Sequence, residues 1–391
     1  MNYILFDGKY RNNLLPFTYT RPVADVRVGI LTIREKWELM LGEKTSTLTK
    51  LYLQKKYPLQ NDGADILINA SYLPTLELVQ AVRSLKEDQA ITYKDEIVAV
   101  YTKEKKERFN VSEYEHLEFK EKLYQLKKKY SIFMHNDYAI KTDFDLLIKN
   151  QKSATIPEYV HTTNPENIFI HPTAKINVCS LNAENGPIYI GENAEIMEGS
   201  MIRGPFALCE HSVVKMGAKI YGATTIGPYS KVGGELNNVI IFGYSNKAHD
   251  GFLGNSVIGE WCNIGADTNN SNLKNNYAEV KLWCYEAERF APTGLQFCGL
   301  MMGDHSKCGI NTMFNTGTVV GVSANIFGDG FPRNFIPSFS WGGTHGFQEF
   351  KFEKAKEVAM AVMKRRSKDF DTIEEEILKE IFDFTAKYRN Y

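Results

Sequence analysis

The sequence is poor in cysteine and has no pattern typical of cysteine-based zinc sites. None of its cysteines are spaced as Cys-x-x-Cys, so neither a zinc site nor a disulfide framework is indicated. We therefore predict free, mostly buried thiols in a reducing, cytoplasmic compartment. The cysteines are Cys179, Cys209, Cys262, Cys284, Cys298 and Cys308.

Long apolar runs and a charge excess of one sign are also lacking. No stretch approaches the roughly 18 apolar residues of a membrane span, and Met1–Asp7 lacks the basic start and long apolar run of a signal peptide. Lys and Arg number 46 against 47 Asp and Glu, so nothing draws the molecule to nucleic acid or an anionic membrane. We predict small-molecule substrates, with neither nucleic acid nor membrane as a partner.

An aliphatic residue recurs every six positions in the second half. The residue four positions later is small in six of seven cases. A helix would repeat every 3.6 residues and a strand every two. A period of six predicts a left-handed parallel β-helix, in which three hexads close one triangular coil. The aliphatic positions are Ile190, Ile196, Ile202, Leu208, Val214, Ile220, Ile226 and Val232; the period returns at Ile258 and Ile264, and again from Met302 to Ile326.

The repeat is interrupted by segments that we predict to be loops on the solenoid surface. These are Asn237–Gly254, Ser271–Gly299 and an aromatic stretch at Phe331–Gly346. Beyond them, apolar residues at four-residue spacing in Phe350–Tyr388 predict two amphipathic helices. Their basic run Lys364–Arg366 could meet the phosphates of coenzyme A, although a solvated helix face is the simpler interpretation.

The first half alternates strand-like and helical stretches, which predicts an α/β domain with a mostly parallel sheet. At 391 residues the chain is long enough for more than one domain. We predict an α/β domain at 1–155, a β-helix at 168–345 and a helical segment at 346–391. The strand-like stretches are Tyr3–Phe6, Asp65–Asn69 and Ile97–Tyr101, and the helical ones are Ile33–Leu41, Leu76–Leu85 and Glu113–Lys129.

Two segments resemble one known family. HDGFLGNSVIGEWCNIGADTNNSN, from His249 to Asn272, resembles the active-site coils of the bacterial bifunctional UDP-N-acetylglucosamine pyrophosphorylase/glucosamine-1-phosphate N-acetyltransferases. LLPFTYTRPV, from Leu14 to Val23, resembles the Leu-x-Pro-Leu-Thr…Lys-Pro signature of sugar-1-phosphate nucleotidyltransferases. The order of the two segments is that of the bifunctional enzymes.

For the β-helix, the resemblance implies transfer of an acetyl group from acetyl-CoA to glucosamine-1-phosphate or a related amino sugar phosphate. It places the general base at His249, whose imidazole can take a proton near pH 7. Lys219 and Asn272 fall on acceptor-binding positions, and Asn237 stands where the family has a sugar-phosphate lysine. A backbone N–H near Gly265 and Ala266 is the candidate oxyanion donor.

For the N-terminal domain, the resemblance implies a uridylyltransferase that uses UTP and Mg²⁺. Two departures from the family weaken this expectation: a single Asp-Gly replaces a glycine-rich loop, and Asn69 stands where a metal-binding aspartate is expected. Asp137 is the candidate for the second metal position. For Arg11 and Arg21, the competing interpretation is a structural ion pair. The candidate nucleotide-binding residues are Asp7, Gly8, Arg11, Arg21 and Asn69.

Two other functions remain open. The first is a sugar-1-phosphate nucleotidyltransferase whose β-helix serves only oligomerisation or regulation. The second is a β-helical carbonic anhydrase, which needs three converging zinc-binding histidines. By analogy with other left-handed β-helices of this type, we expect a homotrimer with active sites between chains. The histidines of the solenoid region show no pair four or five residues apart; they are His161, His171, His211, His249 and His305.

Overall fold

A computed structural model of the chain describes residues 2–60, 63, 65–106 and 109–391. The chain forms two compact units: one comprises Met1–Val26 and Leu31–Ser131, and the other comprises Arg27–Ile30 and Ile132–Tyr391. No helix in the described ranges has the length and apolar character needed to cross a membrane.

The first unit is built on a six-stranded mixed sheet with the order β2-β1-β3-β5-β4-β6. Neighbouring strands are parallel at β1–β2, β1–β3 and β4–β6 and antiparallel at β3–β5 and β4–β5. Helix α1 begins at a capping box of Thr32 and Glu35 and ends at Gly42 in the left-handed conformation. The elements are β1 (Tyr3–Phe6), α1 (Ile33–Leu41), β2 (Thr45–Leu48), β3 (Asp65–Asn69), α2 (Leu76–Arg83), β4 (Gln89–Tyr93), β5 (Glu96–Thr102) and β6 (Glu115–Glu118).

The helix predicted over Glu113–Lys129 is wrong. Part of that segment is β6, which pairs in parallel with β4 through Gln89 and Glu115. Its apolar residues do not form one buried stripe, since Leu117 is exposed whereas Leu126 is buried. Without a buried stripe, the segment's helix-forming Lys and Glu residues gain nothing from packing, and strand pairing prevails.

The second unit begins with α3 (Ser131–Met134) and α4 (Asn136–Ile148) and continues as a parallel β-solenoid. Short strands stack coil upon coil, so Ile196 pairs with Val214 and Ile202 with Ile220. The first part of the solenoid contains β7 (His161–Thr163), β8 (Ile168–Ile170), β9 (Lys175–Ile176), β10 (Ser180–Asn182), β11 (Ile188–Ile190), β12 (Glu195–Ile196), β13 (Met201–Arg203), β14 (Phe206–Leu208), β15 (Val213–Val214), β16 (Lys219–Tyr221), β17 (Thr224–Ile226) and β18 (Lys231–Val232).

The six-residue repeat is confirmed as the organising pattern of this unit. Every aliphatic residue from Ile190 to Val232 in the predicted series belongs to one continuous core. The residues at the fourth position after each aliphatic are buried as well, from Ala194 to Ser230. Small side chains at these positions leave room near the corner of the coil, which is why the pattern repeats there.

The first predicted loop, Asn237–Gly254, is instead largely strand. The nine-residue strands β19 (Glu235–Gly243) and β21 (Phe252–Glu260) pair in parallel along most of their length. The coils are shorter here: Ile226 pairs with Ile241, a spacing of 15, and Ile241 pairs with Ile258, a spacing of 17. The spacing of 18 earlier in the solenoid, as between Ile202 and Ile220, is lost, so a strict six-residue count misses these coils.

The second predicted loop, Ser271–Gly299, is an insertion that includes an antiparallel hairpin of β24 and β25. The aromatic stretch Phe331–Gly346 is not a simple loop, because β31 and β32 in it extend the solenoid by pairing with β29 and β30. The remaining strands are β19 (Glu235–Gly243), β20 (Asn246–Lys247), β21 (Phe252–Glu260), β22 (Asn263–Ile264), β23 (Asn269–Asn270), β24 (Lys281–Cys284), β25 (Arg289–Pro292), β26 (Met301–Met302), β27 (Lys307–Cys308), β28 (Met313–Phe314), β29 (Val319–Val320), β30 (Asn325–Ile326), β31 (Phe335–Ile336), β32 (Ser340–Gly343) and β33 (Gly346–Glu349).

The two C-terminal helices are confirmed as α5 (Phe352–Lys364) and α6 (Thr372–Phe384). They pack on the last coils, where the Phe339 ring lies 5.0 Å from that of Phe382 and 6.4 Å from that of Phe352. Asp371 caps the start of α6 by accepting a hydrogen bond from the Glu374 N–H.

Ile196→Ala should lower the free energy of unfolding by about 2–5 kcal/mol, because the neighbouring coils cannot close the cavity that it leaves. Met216→Ala, at a side chain that is 69% exposed, is the control and should change stability little. Urea unfolding of the two variants measures the difference. Equal effects would contradict the stacked core.

Candidate functional site

A cavity of about 1150 Å³ lies on one outer face of the solenoid. Its floor is formed by β10, β13, β16 and β19, where inward Ile202 and Ile220 alternate with outward polar residues. The outward positions supply two cations, Arg203 and Lys219, and asparagine amides line much of the rest. The lining asparagines are Asn182, Asn185, Asn237, Asn238 and Asn255.

Helix α4 forms a side wall of this cavity because one buried asparagine anchors its first turn. The Asn136 amide accepts a hydrogen bond from the Gly29 N–H at 2.7 Å and donates one to the Ala223 carbonyl at 2.8 Å. This anchoring places Phe133 and Asp137 on the cavity lining. The sequence analysis missed Asn136, since an asparagine at the start of a helix is unremarkable without its long-range partners.

The predicted acceptor residues cluster at the cavity. Lys219 and Asn237 both line it, one coil apart, because Tyr221 pairs with Asn237 across the strands. Asn272 is linked to the cavity through Asn255. Its side-chain amide donates a hydrogen bond at 2.7 Å to the side chain of Asn255, which lines the cavity.

Arg203 and Tyr221 also line the cavity and were missed from the sequence. The Tyr221 hydroxyl donates to Glu235 at 2.6 Å, and this hydrogen bond, with a smaller effect of burial, raises the pKa of Tyr221 to about 12. Both residues directly follow an inward aliphatic of the repeat, so the hexad register could have identified them as outward-facing.

The candidate base His249 lies on an exposed turn between β20 and β21. Neighbouring coils hold this turn on both sides: the Asp267 N–H donates to the Asp250 carbonyl at 3.1 Å, and the Glu235 N–H donates to the Gly251 carbonyl at 3.2 Å. Gly251 has a φ of +109°, and a Cβ atom there would lie 2.1 Å from the Thr268 carbonyl oxygen. Only glycine fits this close approach.

The two candidate oxyanion residues lie on the coil that follows the His249 turn. The Gly265 N–H donates to the Cys308 carbonyl at 3.2 Å, as part of the stacking between coils. The Ala266 carbonyl accepts from the Asn311 N–H at 2.8 Å. Because the Gly265 N–H is already engaged, the oxyanion role stays a prediction for Ala266.

Four cations gather on the other side of the His249 turn; we call Lys215, Lys231, Arg365 and Arg366 the basic patch. Lys231 pairs with Asn246 across the strands, and Arg366 donates to the Asn246 side chain at 3.2 Å. Burial, with added repulsion from Arg366, Lys215 and Arg365, lowers the pKa of Lys231. The structure therefore joins the predicted C-terminal basic run to lysines of two solenoid coils.

In the first unit, several predicted nucleotide-binding residues meet at the ends of β1 and β3. Asp7 accepts a hydrogen bond from the Val23 N–H at 2.7 Å and lies 3.0 Å from the Arg11 guanidinium. Gly8, with a φ of +65°, packs so closely on the Asn69 amide that a Cβ atom would lie 2.8 Å from its oxygen.

Both partners of the Asp7–Arg11 pair are buried, as is Arg21. The pair contributes to the core of this unit, which supports the structural interpretation of Arg11.

The two predicted metal positions do not fit Mg²⁺. The Asn69 side-chain oxygen accepts hydrogen bonds from the Ser71 N–H at 3.1 Å and hydroxyl at 2.8 Å. The Asp137 carboxylate is exposed and pairs with Lys141 at 2.9 Å. Across the described ranges no three His, Cys, Asp or Glu side chains converge as a metal site would require, and we derive no reaction step through a metal.

Arg11→Met should lower the stability of the first unit by about 3–5 kcal/mol, because it removes the cation that pairs with the buried Asp7 carboxylate. Lys44→Met, which breaks the exposed pair with Glu38, is the control and should have no measurable effect. Thermal unfolding followed by calorimetry tests both variants. An Arg11→Met protein as stable as the wild type would show that the pair does not support the core.

The chain was compared with protein families and with known proteins. Residues 3–152 match the model of the sugar nucleotidyl transferase family. A bifunctional sugar-1-phosphate nucleotidylyltransferase/acetyltransferase of Sulfurisphaera tokodaii is 31% identical over 144 residues, which cover 36% of this chain. The match spans 35% of that relative's length.

Solved structures similar to the chain include two acyltransferases. One is the UDP-N-acetylglucosamine acyltransferase of Francisella novicida, with 12% identity, a TM-score of 0.30, and coverage of 58% of this chain and 78% of that one. The other is the N-acyltransferase AntD of Bacillus cereus, with 13% identity, a TM-score of 0.24, and coverage of 53% and 91%. At these scores the likeness carries no argument about activity.

The family match includes β1, β3 and the Asp7–Arg11 pair, and it extends through α4. The stacked strands that follow are the hexad repeat of the sequence, observed directly as parallel pairs between coils. Residues 3–152 are thus similar to the sugar nucleotidyl transferase family, and in this chain they are followed by a parallel β-solenoid with a six-residue repeat.

Proposed function

We propose that the solenoid transfers an acyl group from a coenzyme A thioester to the amino group of a sugar phosphate. Acetyl-CoA and glucosamine-1-phosphate are the expected pair. One observation carries the proposal: the His249 turn connects the basic patch to the cavity. Asn246, three residues before His249, contacts Arg366 of the patch, and Asn255, six residues after it, lines the cavity.

The cavity suits the acceptor. Arg203 and Lys219 offer charged donors for a phosphate, and Arg203 can bind two phosphate oxygens at once. The asparagine amides around them can both donate to and accept from sugar hydroxyls. Asn237 lacks the charge of the lysine that the family resemblance implies, and Arg203 is the side chain that would replace it.

The basic patch suits the donor. Coenzyme A carries several phosphate charges, and the patch holds cations whose mutual repulsion a polyanion would relieve. Its position beside the His249 turn would leave the thioester end of the donor free to reach the acceptor amine. The homotrimer that family analogy leads us to expect is part of this proposal.

The proposed chemistry needs one proton acceptor. The neutral His249 imidazole takes a proton as the sugar amine attacks the thioester carbonyl carbon. The tetrahedral intermediate then collapses, the C–S bond breaks, and the thiolate of coenzyme A leaves and takes up a proton. A backbone N–H such as that of Ala266 would stabilise the oxyanion.

His249→Ala should reduce turnover by about 10²–10⁴-fold, the usual loss for a general base. His161→Ala, at another exposed histidine of the solenoid, is the matched control and should retain activity. Coenzyme A release from acetyl-CoA and glucosamine-1-phosphate, followed with a thiol reagent, measures both. Full activity in His249→Ala would favour a solenoid that serves only oligomerisation or regulation.

The two binding regions predict separate effects on KM. Lys219→Met should raise KM for the sugar phosphate by about ten- to a hundredfold, because a charged hydrogen bond is lost. Lys231→Met should raise KM for acetyl-CoA instead. Initial rates at varied concentrations of each substrate measure the two KM values. If both variants changed the KM for the same substrate, the assignment of the cavity to the sugar phosphate and of the basic patch to acetyl-CoA would be contradicted.

Nucleotidyl transfer by the first unit is a second candidate, because residues 3–152 match the sugar nucleotidyl transferase family. We propose a sugar-1-phosphate and UTP as its substrates. Pyrophosphate release from UTP and N-acetylglucosamine-1-phosphate tests the activity, with Asp7→Asn as the variant. The absence of pyrophosphate from the wild type would leave this unit as a binding or structural domain.

A further inference from the structure

One lysine occupies a position in the solenoid core where the neighbouring coils carry apolar residues. Lys247 is 1% exposed and pairs with Val232 across the strands. The inward residues along this column are Ile176, Ile196, Val214, Val232, Lys247, Ile264, Cys308 and Ile326. A buried ammonium is costly where a methionine or isoleucine would pack well, so a structural role alone does not explain it.

The ammonium group of Lys247 bonds to the turn that carries the candidate base. It donates to the backbone carbonyls of His249 and Asp250, the latter at 2.9 Å. These are consecutive carbonyls, so one cation fixes the orientation of two successive peptide planes. The contact is made from inside the solenoid, whereas the His249 side chain is on the exposed surface.

One of the hydrogen bonds from a neighbouring coil to this turn uses the same acceptor as Lys247. The Asp250 carbonyl that accepts from Lys247 also accepts from the Asp267 N–H at 3.1 Å. Removing the ammonium would therefore loosen the turn from within and weaken the bond from the Asp267 N–H, which shares its acceptor.

We infer that Lys247 is a positioning residue for the proposed acyl transfer, because its ammonium holds the backbone of the His249 turn from the solenoid interior. The inference rests on the proposed function, since it takes His249 as the base. Lys247 itself is enclosed by the core and has no route to a substrate. It acts through the peptide groups of the turn.

A half-buried lysine on another coil provides the control. Lys307 donates to the His305 carbonyl at 2.8 Å, two residues away in sequence as in the case of Lys247 and His249. Burial lowers the pKa of both lysines to about 8. Lys307 belongs to a different coil and its hydrogen bond goes to a different turn, so its removal tests the loss of a lysine-to-carbonyl bond elsewhere in the solenoid.

Lys247→Met should lower kcat by tenfold or more and leave both KM values within about twofold, because the base is displaced while the binding regions are intact. The Asp267 amide should exchange with solvent at least tenfold faster. Tm at pH 7 should not fall, since methionine fills an aliphatic column. Lys307→Met should leave kcat and the Asp267 exchange rate unchanged.

Lys247→Gln keeps one donor at the end of its side chain and should retain more of kcat than Lys247→Met. It serves in place of the methionine variant if that protein does not fold. An unchanged kcat together with unchanged Asp267 exchange in Lys247→Met would overturn the inference. A wild type without turnover would refute the proposed function, whereas the exchange measurement would still decide whether Lys247 holds the turn.

The difference in stability between the wild type and Lys247→Met should also depend on pH. Burial, partly offset by attraction from Asp250, Cys308 and Asp267, lowers the pKa of Lys247 to about 8 from its ordinary 10.5. Between these values the unfolded chain binds a proton that the folded protein does not, so wild-type stability gains from rising pH. Lys247→Met lacks this gain, and its stability advantage should therefore shrink from pH 8 to 10.5 in urea titrations. A constant difference would show that the lysine is not buried as described.

Discussion

Each inward side chain of the solenoid rests on its equivalent in the next coil, and the outer surface depends on this stacking. Because Ile202 lies on Ile220, the outward residues that flank them are also brought into line from coil to coil. Arg203, Lys219 and Asn237 meet at the cavity for this reason, although they are distant in sequence. The packing that stabilises the core thus also assembles the candidate acceptor site.

The candidate base lies where this stacking becomes irregular. The coils that carry β19, β20 and β21 are shorter than those before them, and in this region an inward position is occupied by Lys247. A regular coil would place an aliphatic residue there and leave the turn to its outer hydrogen bonds. The irregular coils give the turn a charged support from the inside, at the expense of core packing.

In the first unit, the residues that carry the family resemblance are held by local contacts. Asp7, Gly8, Arg11 and Asn69 lie together, as the family resemblance implies, but the charged pair is buried and the Asn69 oxygen is engaged by Ser71. In a nucleotide site these residues would contact phosphates. In this structure Asp7 and Arg11 form an ion pair, and Gly8 packs on the Asn69 amide. Local packing, rather than the sequence pattern, determines how far these groups are exposed.

The sequence by itself determined the solenoid, because a period of six is a local pattern whose aliphatic residues can only be buried by stacking coils. It also predicted the two C-terminal helices, which the structure confirms, and it offered His249 and Lys219 as candidate site residues. The tertiary structure alone decided that Lys231 meets Arg366, that Asn136 anchors the cavity wall and that Glu113–Lys129 is not a helix. These outcomes rest on contacts between residues far apart in the chain, and no short-range pattern records which coil will face which helix.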